Sequence, residues 1–418
     1  MKVLVLGGGV IGLCSAHALL RDGHEVVLVD RDFVGSGATP GNAGWVCPSQ
    51  VAPLAAPGML RHSAGLLLRR TSPLYIAPRL DPTMLRFMVA FARRCTRDAQ
   101  ARATSALVEL AATVEADYQQ LESILAEPLH RERAGVLCCF TDAEHARGAH
   151  QQWRVVDRVA GTGPGPLHDA DAMAEEERAL ARNVTAGFVL PQDSHLDPAA
   201  LARTLRAAVE RTGAKIVEQA GACELLLTGK RVTGVRTSSA GDIAADEVVI
   251  AAGADSARYL PQLGIRVPLV AGTGYNFTVR PEVEPRRPLH LEEAHVACTP
   301  MRGALRVAGT MEISGRTSGI DHRRVEAIVR SASRYLQGVT WAARTDVWGG
   351  PRPVTPDGMP LLGRPEGIQG CIVATGHGMY GVTLAPTTGR VVAEVVAGAT
   401  AMPGLAPSRS IQRAKPST

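Results

Sequence analysis

Residues Val3 to Asp30 read VLVLGGGVIGLCSAHALLRDGHEVVLVD. The apolar run ending at Leu6 has the length and composition of a buried strand, and Val10 to Arg21 carries Ile11, Ala18 and Leu19 at helical spacing. Gly23 and His24 close that helix, and Glu25 to Val29 gives a second strand. Strand, glycine turn, helix, strand is the opening of a doubly wound α/β fold. Within it Gly7, Gly9 and Gly12 keep the G-x-G-x-x-G spacing. The first glycine permits a tight turn, the second lets backbone approach a pyrophosphate, and the third lets helix pack on strand. Phosphate oxygens then face free N–H groups at the positive end of the helix, where Val10 and Ile11 are the first residues.

Asp30 ends the second strand about 20 residues on, where a carboxylate takes up ribose hydroxyls. An acid there favours an adenosine with a free 2′-hydroxyl, so NAD or FAD over NADP. A second feature separates those two. AADEVVIAAGADS (244–256) reads as a strand ending in Ala251, Ala252 and Gly253, and small residues there let backbone pass closely by a ligand. A single NAD-binding unit has no need of it.

At 418 residues the chain has material for about two domains. Its formal charge of +5 is spread along the length and aromatics are scarce, which argues against a nucleic-acid partner. Eight cysteines form no C-x-x-C pair and read as reduced core residues of a cytoplasmic protein. The first residues lack the pattern of a signal peptide, and no window has the ~18 uncharged apolar residues of a membrane helix. Long helices are expected over 84–121, a helix capped by Asp197 over 198–211, strands over 268–279, 289–298 and 305–308, a helix over 323–336, and a last strand, glycine turn and helix over 371–396.

Together the stretches VLVLGGGVIGLCSAHALLRDGHEVVLVDRD, GATPGNAG, VAPLAAPG, VVIAAGADS, GGPRPVTPDGMPLLG and ATGHGMYGVTLAP resemble the glycine-oxidase and D-amino-acid-oxidase superfamily. Within it they are most similar to the small-subunit type of bacterial D-amino-acid dehydrogenases, and they occur in the family's order along most of the chain. The resemblance implies an FAD-binding, Rossmann-like domain assembled from 1–69, 192–262 and 345–403, and a substrate domain with a mixed β-sheet and helices from 70–191 and 263–344. Residues 404–418 are expected to be a disordered tail. It also implies that Gly7, Gly9 and Gly12 cradle pyrophosphate, that Asp30 and Arg31 serve the adenosine, and that Thr39, Asn42, Ala43 and Gly44 lie near pyrophosphate and flavin. Ala222 falls where backbone meets adenine, with Ala252 and Gly253 beside the cofactor. Gly376, His377, Gly378, Met379, Tyr380, Gly381, Val382 and Thr383 form the closing turn beside the flavin ring. Some relatives attach FAD through a cysteine just before T-P-D; here Gly349 or Gly350 stands there, so FAD is expected to be noncovalent.

The closing turn also reads well unaided, since a glycine turn into a helix presents N–H groups that stabilise negative charge. His377 reads as a flavin contact more than as an acid or base. Arg352, between Pro351 and Pro353, has the fork that grips a carboxylate with two hydrogen bonds, and the prolines stiffen its segment. A structural pair with Asp357 is the competing reading; the family position, where the matching arginine binds substrate carboxylate, favours the clamp. Tyr275 and Tyr380 are the other candidates for the pocket wall, each with core packing as the alternative. His62, His290, His295 and Glu292 are weaker candidates that read more simply as surface residues.

No Ser/His/Asp set, metal-ligand spacing or obligatory base is visible. That suits hydride transfer from the α-carbon of a small D-amino acid, or of D-hydroxyproline or D-proline, to flavin N5, giving an imine that hydrolyses to a 2-oxo acid or stays cyclic. A glycine or sarcosine oxidase, or a flavin subunit of a heteromeric electron-transfer dehydrogenase, are the alternatives. Oxygen, quinone or a partner protein can each serve as acceptor. Residues 54–70, with GLLLRR, offer apolar side chains and Arg69 and Arg70 to the inner face of a membrane, although a lid or subunit contact suits them better.

Overall fold

The computed structural model describes residues 1–59, 71–77, 81–160, 163–315 and 319–409. The opening folds as its pattern dictates: β1 (Lys2–Leu6) feeds α1 (Val10–Arg21), and β2 (Glu25–Val29) returns parallel to β1. After β3 (Trp45–Val46), the chain crosses to a second layer through β4 (Leu74–Ile76) and α2 (Pro82–Arg94). The next two helices, α3 (Arg97–Ala111) and α4 (Val114–Ile124), return to the first layer. Leu107, Leu110, Val114, Tyr118 and Leu121 join the same core as Leu13 and Leu19 of α1. Residues 97–124, assigned above to the substrate domain, therefore pack with the nucleotide-binding layer. Their amphipathic period specifies a buried stripe but not the layer that buries it.

The second layer continues with β5 (Val136–Phe140), α5 (Ala143–Ala160), β6 (His168–Asp169), α6 (Ala170–Glu176) and β7 (Ala186–Leu190). β8 (Ser194–His195) pairs with β3, and α7 (Pro198–Arg211), capped by Asp197 on the Ala199 N–H, leads back to β9 (Lys215–Val217). An antiparallel flap of β10 (Cys223–Thr228), β11 (Arg231–Thr237) and β12 (Gly241–Ala244) precedes β13 (Glu247–Ile250). Then come β14 (Val270–Val279), β15 (Leu289–Leu291), β16 (Val296–Pro300), β17 (Leu305–Ile313) and α8 (His322–Ala332). β18 (Thr345–Val354), β19 (Leu361–Gly363), β20 (Cys371–Thr375) and α9 (Gly381–Val396) complete the chain order.

The first layer is a six-stranded sheet ordered β19-β20-β13-β1-β2-β9, parallel except for β19. β1 has β2 on one side and β13 on the other, so the strand order reverses there, and crevices at such switch points hold ligands at the strands' carboxyl ends. The second layer is a mixed sheet ordered β18-β14-β17-β16-β15-β5-β7-β6, with β4 also on β17. β18, assigned above to the nucleotide domain, is an edge strand of this mixed sheet, paired with β14 from Val270↔Val354 to Thr278↔Thr345. Ile265, Val267 and Leu269, assigned to the substrate domain, instead join the core around Leu4 and Val248.

The last helix starts a turn earlier than its apolar pattern suggests and holds Pro386 inside. Proline removes the N–H that would bond the carbonyl four residues back. Tyr118 of α4 supplies the missing donor, its hydroxyl meeting Val382 O at 2.6 Å. Residues 404–409 are part of the fold rather than a loose tail. Leu405 is fully buried, and the Arg409 guanidinium pairs with the buried Asp357 at 2.9 Å, which makes Asp357 unavailable to Arg352. Positions 410–418 lie outside the described residues, as do His62 and most of the 54–70 stretch. Among the described residues no helix is long and apolar enough to cross a membrane.

Candidate active site

A cavity of about 580 Å³ runs between the two layers, from Asp30 and Arg31 at one end to Arg352 at the other. Its floor is the glycine turn. Gly7 sits at φ +111°, where a side chain on it would meet Ala251 O at 2.5 Å. A Cβ on Gly12 would lie 1.8 Å from Gly7 O, so only glycine lets α1 approach β1 this closely. Gly9, by contrast, faces open space apart from Thr39 Oγ1 at 3.6 Å. That Thr39 hydroxyl accepts from the Val10 N–H at 3.0 Å and fixes the entry to the helix.

Asp30 Oδ2 accepts the Gly8 N–H at 2.6 Å and Oδ1 accepts the Asp32 N–H at 2.8 Å. A carboxylate has about four acceptor sites, so two remain for hydroxyls in the cavity. Burial raises the Asp30 pKa, and those two N–H groups hold it back down. Arg31 reaches across to Asp255 at 2.7 Å and closes this end.

At the other end Arg352 lies across β14. A Cβ on Gly274 would sit 2.1 Å from its Cζ, so the guanidinium occupies the space a missing side chain leaves. Its Nη1 donates to Thr310 O at 3.2 Å. Thr310 is the extra residue of a bulge on β17, where Gly274 pairs with Met311 and Tyr275 with Gly309. It is β-branched yet held at φ +58°, a strained conformation that turns its carbonyl toward the arginine. Among the described residues no carboxylate pairs with Arg352, and burial lowers its pKa to about 10. The ring of Trp348 fills the space over Gly41 and Gly350, where a Cβ would lie 2.3 Å and 2.0 Å from it. The closing turn is tied to this segment by the Gly378 N–H, which donates to Pro353 O at 2.9 Å.

Gly7, Gly9, Val10, Ile11, Asp30, Arg31, Thr39, Asn42, Ala252, Gly253, Gly350, Arg352, His377, Gly378, Gly381 and Val382 thus converge on one cavity. Other expected residues lie elsewhere. Tyr275 points to the opposite face of β14, its hydroxyl donating to the buried Glu312 at 2.9 Å within the core beneath α8. Tyr380 turns to the strap at 50–52, accepting from the Ala52 N–H at 3.1 Å and donating to Ala52 O at 3.0 Å. Ala222 has its N–H on Ser238 Oγ and its carbonyl on the Ser238 N–H, both at 3.0 Å, while its neighbours Gly221 and Cys223 line the cavity.

Four more expected residues are braces rather than walls. Thr383 accepts from the Cys47 N–H and donates to Trp45 O. Ala43 O accepts from Thr299, Gly44 abuts Leu196 O, and Gly376 packs on Thr355. Met379 is exposed. Gly274, Trp348 and Gly41 went unread: two glycines and an aromatic carry no signal until the strands that align them are known.

The family model described as FAD dependent oxidoreductase (DAO) matches residues 2–395. The chain belongs to this family. Relatives called D-amino acid dehydrogenase are 32% identical over 405 residues in Cereibacter sphaeroides, covering 95% of this chain and 92% of their own. In Sinorhizobium medicae the identity is 33% over 405 residues, covering 95% and 96%. Glycine oxidase from Geobacillus kaustophilus superposes with a TM-score of 0.76 at 23% identity, covering 98% of this chain and 100% of its own. L-proline dehydrogenase from P. horikoshii gives 0.69 at 19%, covering 98% and 97%. These two share the fold.

The cavity fits the family's FAD. It has the glycine floor, the Asp30 carboxylate with acceptor sites left over and, in the closing turn, a buried His377 whose Nδ1 has no partner among the described residues while Nε2 meets Thr388 Oγ1 at 2.9 Å. Burial lowers the His377 pKa to about 3, so the imidazole is neutral at any working pH. Unfolding exposes it to its ordinary value of 6.5. The unfolded chain therefore binds a proton that the folded one refuses, and stability falls as pH drops below that value. This group alone costs about 2 kcal/mol between pH 6.5 and pH 5. His377→Gln is expected to flatten the acid side of the stability curve by about that amount, read from urea midpoints across this range.

Proposed function

We propose that this FAD-dependent oxidoreductase oxidises the amine-bearing carbon of a small D-amino acid, with D-proline and D-hydroxyproline within its range. The observation that carries the reading is Arg352: a half-buried guanidinium without an acidic partner among the described residues, opening into the cofactor cavity. A desolvated, uncompensated cation is costly unless an anion arrives with the ligand. The fork and its single backbone bond leave donors for a bidentate grip on a carboxylate. The D configuration is drawn from the relatives that carry that name.

FAD, when bound, supplies the acceptor for the hydrogen and electron pair of the α-carbon. The chain supplies position. Gly274 gives the guanidinium its seat, Thr310 O fixes its angle, and Trp348 walls the same end of the cavity. No acidic side chain lines the Arg352 end among the described residues, and His377 is neutral. The substrate amine therefore enters deprotonated, having lost its proton to solvent. The imine product hydrolyses to a 2-oxo acid and ammonia, or remains a ring imine when the substrate is cyclic. Gly349 and Gly350 offer no thiol for attachment, so the cofactor is held noncovalently.

Anaerobic bleaching of the flavin absorbance tests this directly. Small D-amino acids are expected to bleach it, faster as pH rises through the range where the amine deprotonates, and an alkylamine of the same size is not. Equal bleaching by the amine would remove the carboxylate from the reading, and equal bleaching by L-enantiomers would remove the stereochemistry. Turnover of the purified chain with an artificial dye is expected, which a subunit dependent on a partner would fail.

A further inference from the structure

His290, Glu292 and His295 read as surface residues in the sequence; His295 is exposed, but the fold draws His290 and Glu292 inward. β15 runs parallel to β5 with His290 opposite Cys138, so the two side chains stand next to each other on one face of the mixed sheet. Glu292 follows two residues after His290, just past the strand end, and its N–H is fixed on Cys139 O at 3.1 Å. Side chains two apart along an extended chain share a face. Cys138 is fully buried, and the His290 and Glu292 side chains are only 24% and 19% exposed. The thiol sulfur, a ring nitrogen and a carboxylate oxygen all lie within 4.8 Å of one another.

With no cation bound, an ion pair between His290 and Glu292 holds this cluster. His290 Nδ1 is 2.9 Å from Glu292 Oε1 and out of reach of solvent. A cation between the imidazole and the carboxylate would take the place of the proton that such a pair shares, with the Cys138 sulfur as a third donor atom within 4.8 Å. The mixture of sulfur, imidazole nitrogen and carboxylate oxygen is that of zinc, whose bonds of about 2.0–2.3 Å would place tetrahedral ligand atoms roughly 3.4 Å apart.

The surroundings fit an ion as well. The His290 ring is held edge-on against Trp45, with centroids 5.6 Å apart, and the buried Asp193 carboxylate, fixed by Ser49 and Gln50, adds negative charge nearby. Such outer groups orient the ligands of metal sites. The cluster lies on the sheet away from the Arg352 end of the cavity, and none of its three residues lines that cavity. Sequence spacing hides it, because the cysteine and histidine come from strands on separate segments that only the parallel register unites.

We propose that Cys138, His290 and Glu292, with one water as the fourth ligand, bind one divalent cation of the zinc class, clamping β5, β15 and the turn after it together. Binding replaces the Cys138 thiol proton and, where His290 is protonated against Glu292, the imidazole proton as well; both leave to solvent. The inference does not depend on which substrate the flavin site takes. The test is cobalt titration of the chelator-treated FAD holoenzyme, because the d–d bands of four-coordinate Co²⁺ lie to the red of flavin absorption. One equivalent is expected to bind with those bands and with release of between about one and two protons, fewer as pH rises. Cys138→Ser and His290→Gln are each expected to abolish the bands and weaken binding at least about 100-fold, with the flavin spectrum unchanged. If Cys138→Ser does not fold, His290→Gln, at a partly exposed position, carries the comparison. Absence of saturable binding, or bands that persist in either folded variant, overturns the proposal.

Discussion

Arg352→Met is expected to leave FAD in place and to cut kcat/KM for the amino acid by roughly 30-fold to several thousand-fold, the equivalent of about 2–5 kcal/mol for losing one side of a desolvated charge pair. The same substitution is expected to leave the thermal midpoint unchanged or raise it. Both outcomes follow from one observation. The guanidinium is half-buried in the cavity wall without an acidic partner among the described residues, and its desolvation lowers its pKa to about 10, so the folded protein carries the cation at a cost throughout the neutral range. Replacing a poorly compensated buried charge by an apolar side chain of similar length removes that cost. Arg352→Lys keeps the charge but not the planar fork, and its kcat/KM should fall between the two. Steady-state kinetics, flavin content and thermal melts on the three proteins settle it together. A methionine variant that melts markedly lower while turning over normally would make Arg352 a structural residue, which is the opposite of the clamp.

How far this site could be read in advance depends on whether its residues are consecutive. The glycine turn and Asp30 were legible because one strand, one helix and the next strand bring them together within 30 residues, and each glycine answers a local steric demand. Arg352 was legible through its flanking prolines and its place in the family pattern. Tyr275 was not, because VAGTGYNFTV has no clean apolar and polar alternation and nearly every residue in it is buried. When both faces are covered, alternation no longer says which one meets the ligand. The bulge at Thr310, which orients Arg352, depends on the pairing of β14 with β17 and leaves no mark in either strand alone. The same holds for β18, whose allegiance to the mixed sheet is a matter of hydrogen-bonded register with β14, and for α3 and α4, whose apolar stripes would suit either layer.

Two glycines of the opening motif are expected to fail in different ways when changed to alanine. Gly12→Ala puts a methyl group 1.8 Å from Gly7 O, against backbone that is already fixed by the Gly7 N–H to Val29 O bond of 2.8 Å. No side-chain rotation relieves that contact. Helix α1 has to move off β1, which opens the core formed by Val5, Leu13 and Ala16 and shifts the Val10 N–H away from Thr39. A loss on the order of 4 kcal/mol or more is expected, the range reserved for forced backbone displacement in a core, and FAD binding goes with it. Gly9→Ala meets only Thr39 Oγ1 at 3.6 Å, an ordinary contact, and Gly9 already has φ −71°, which alanine adopts freely. Its methyl group projects into the cavity where pyrophosphate must approach the backbone. The urea midpoint of the apoprotein should therefore stay close to that of the parent, while FAD affinity falls at least about tenfold, or 1.4 kcal/mol. Unfolding curves and flavin fluorescence titrations on both variants separate the two roles. If Gly9→Ala unfolds as readily as Gly12→Ala, the second glycine belongs to the frame of the fold and not to the approach of the cofactor.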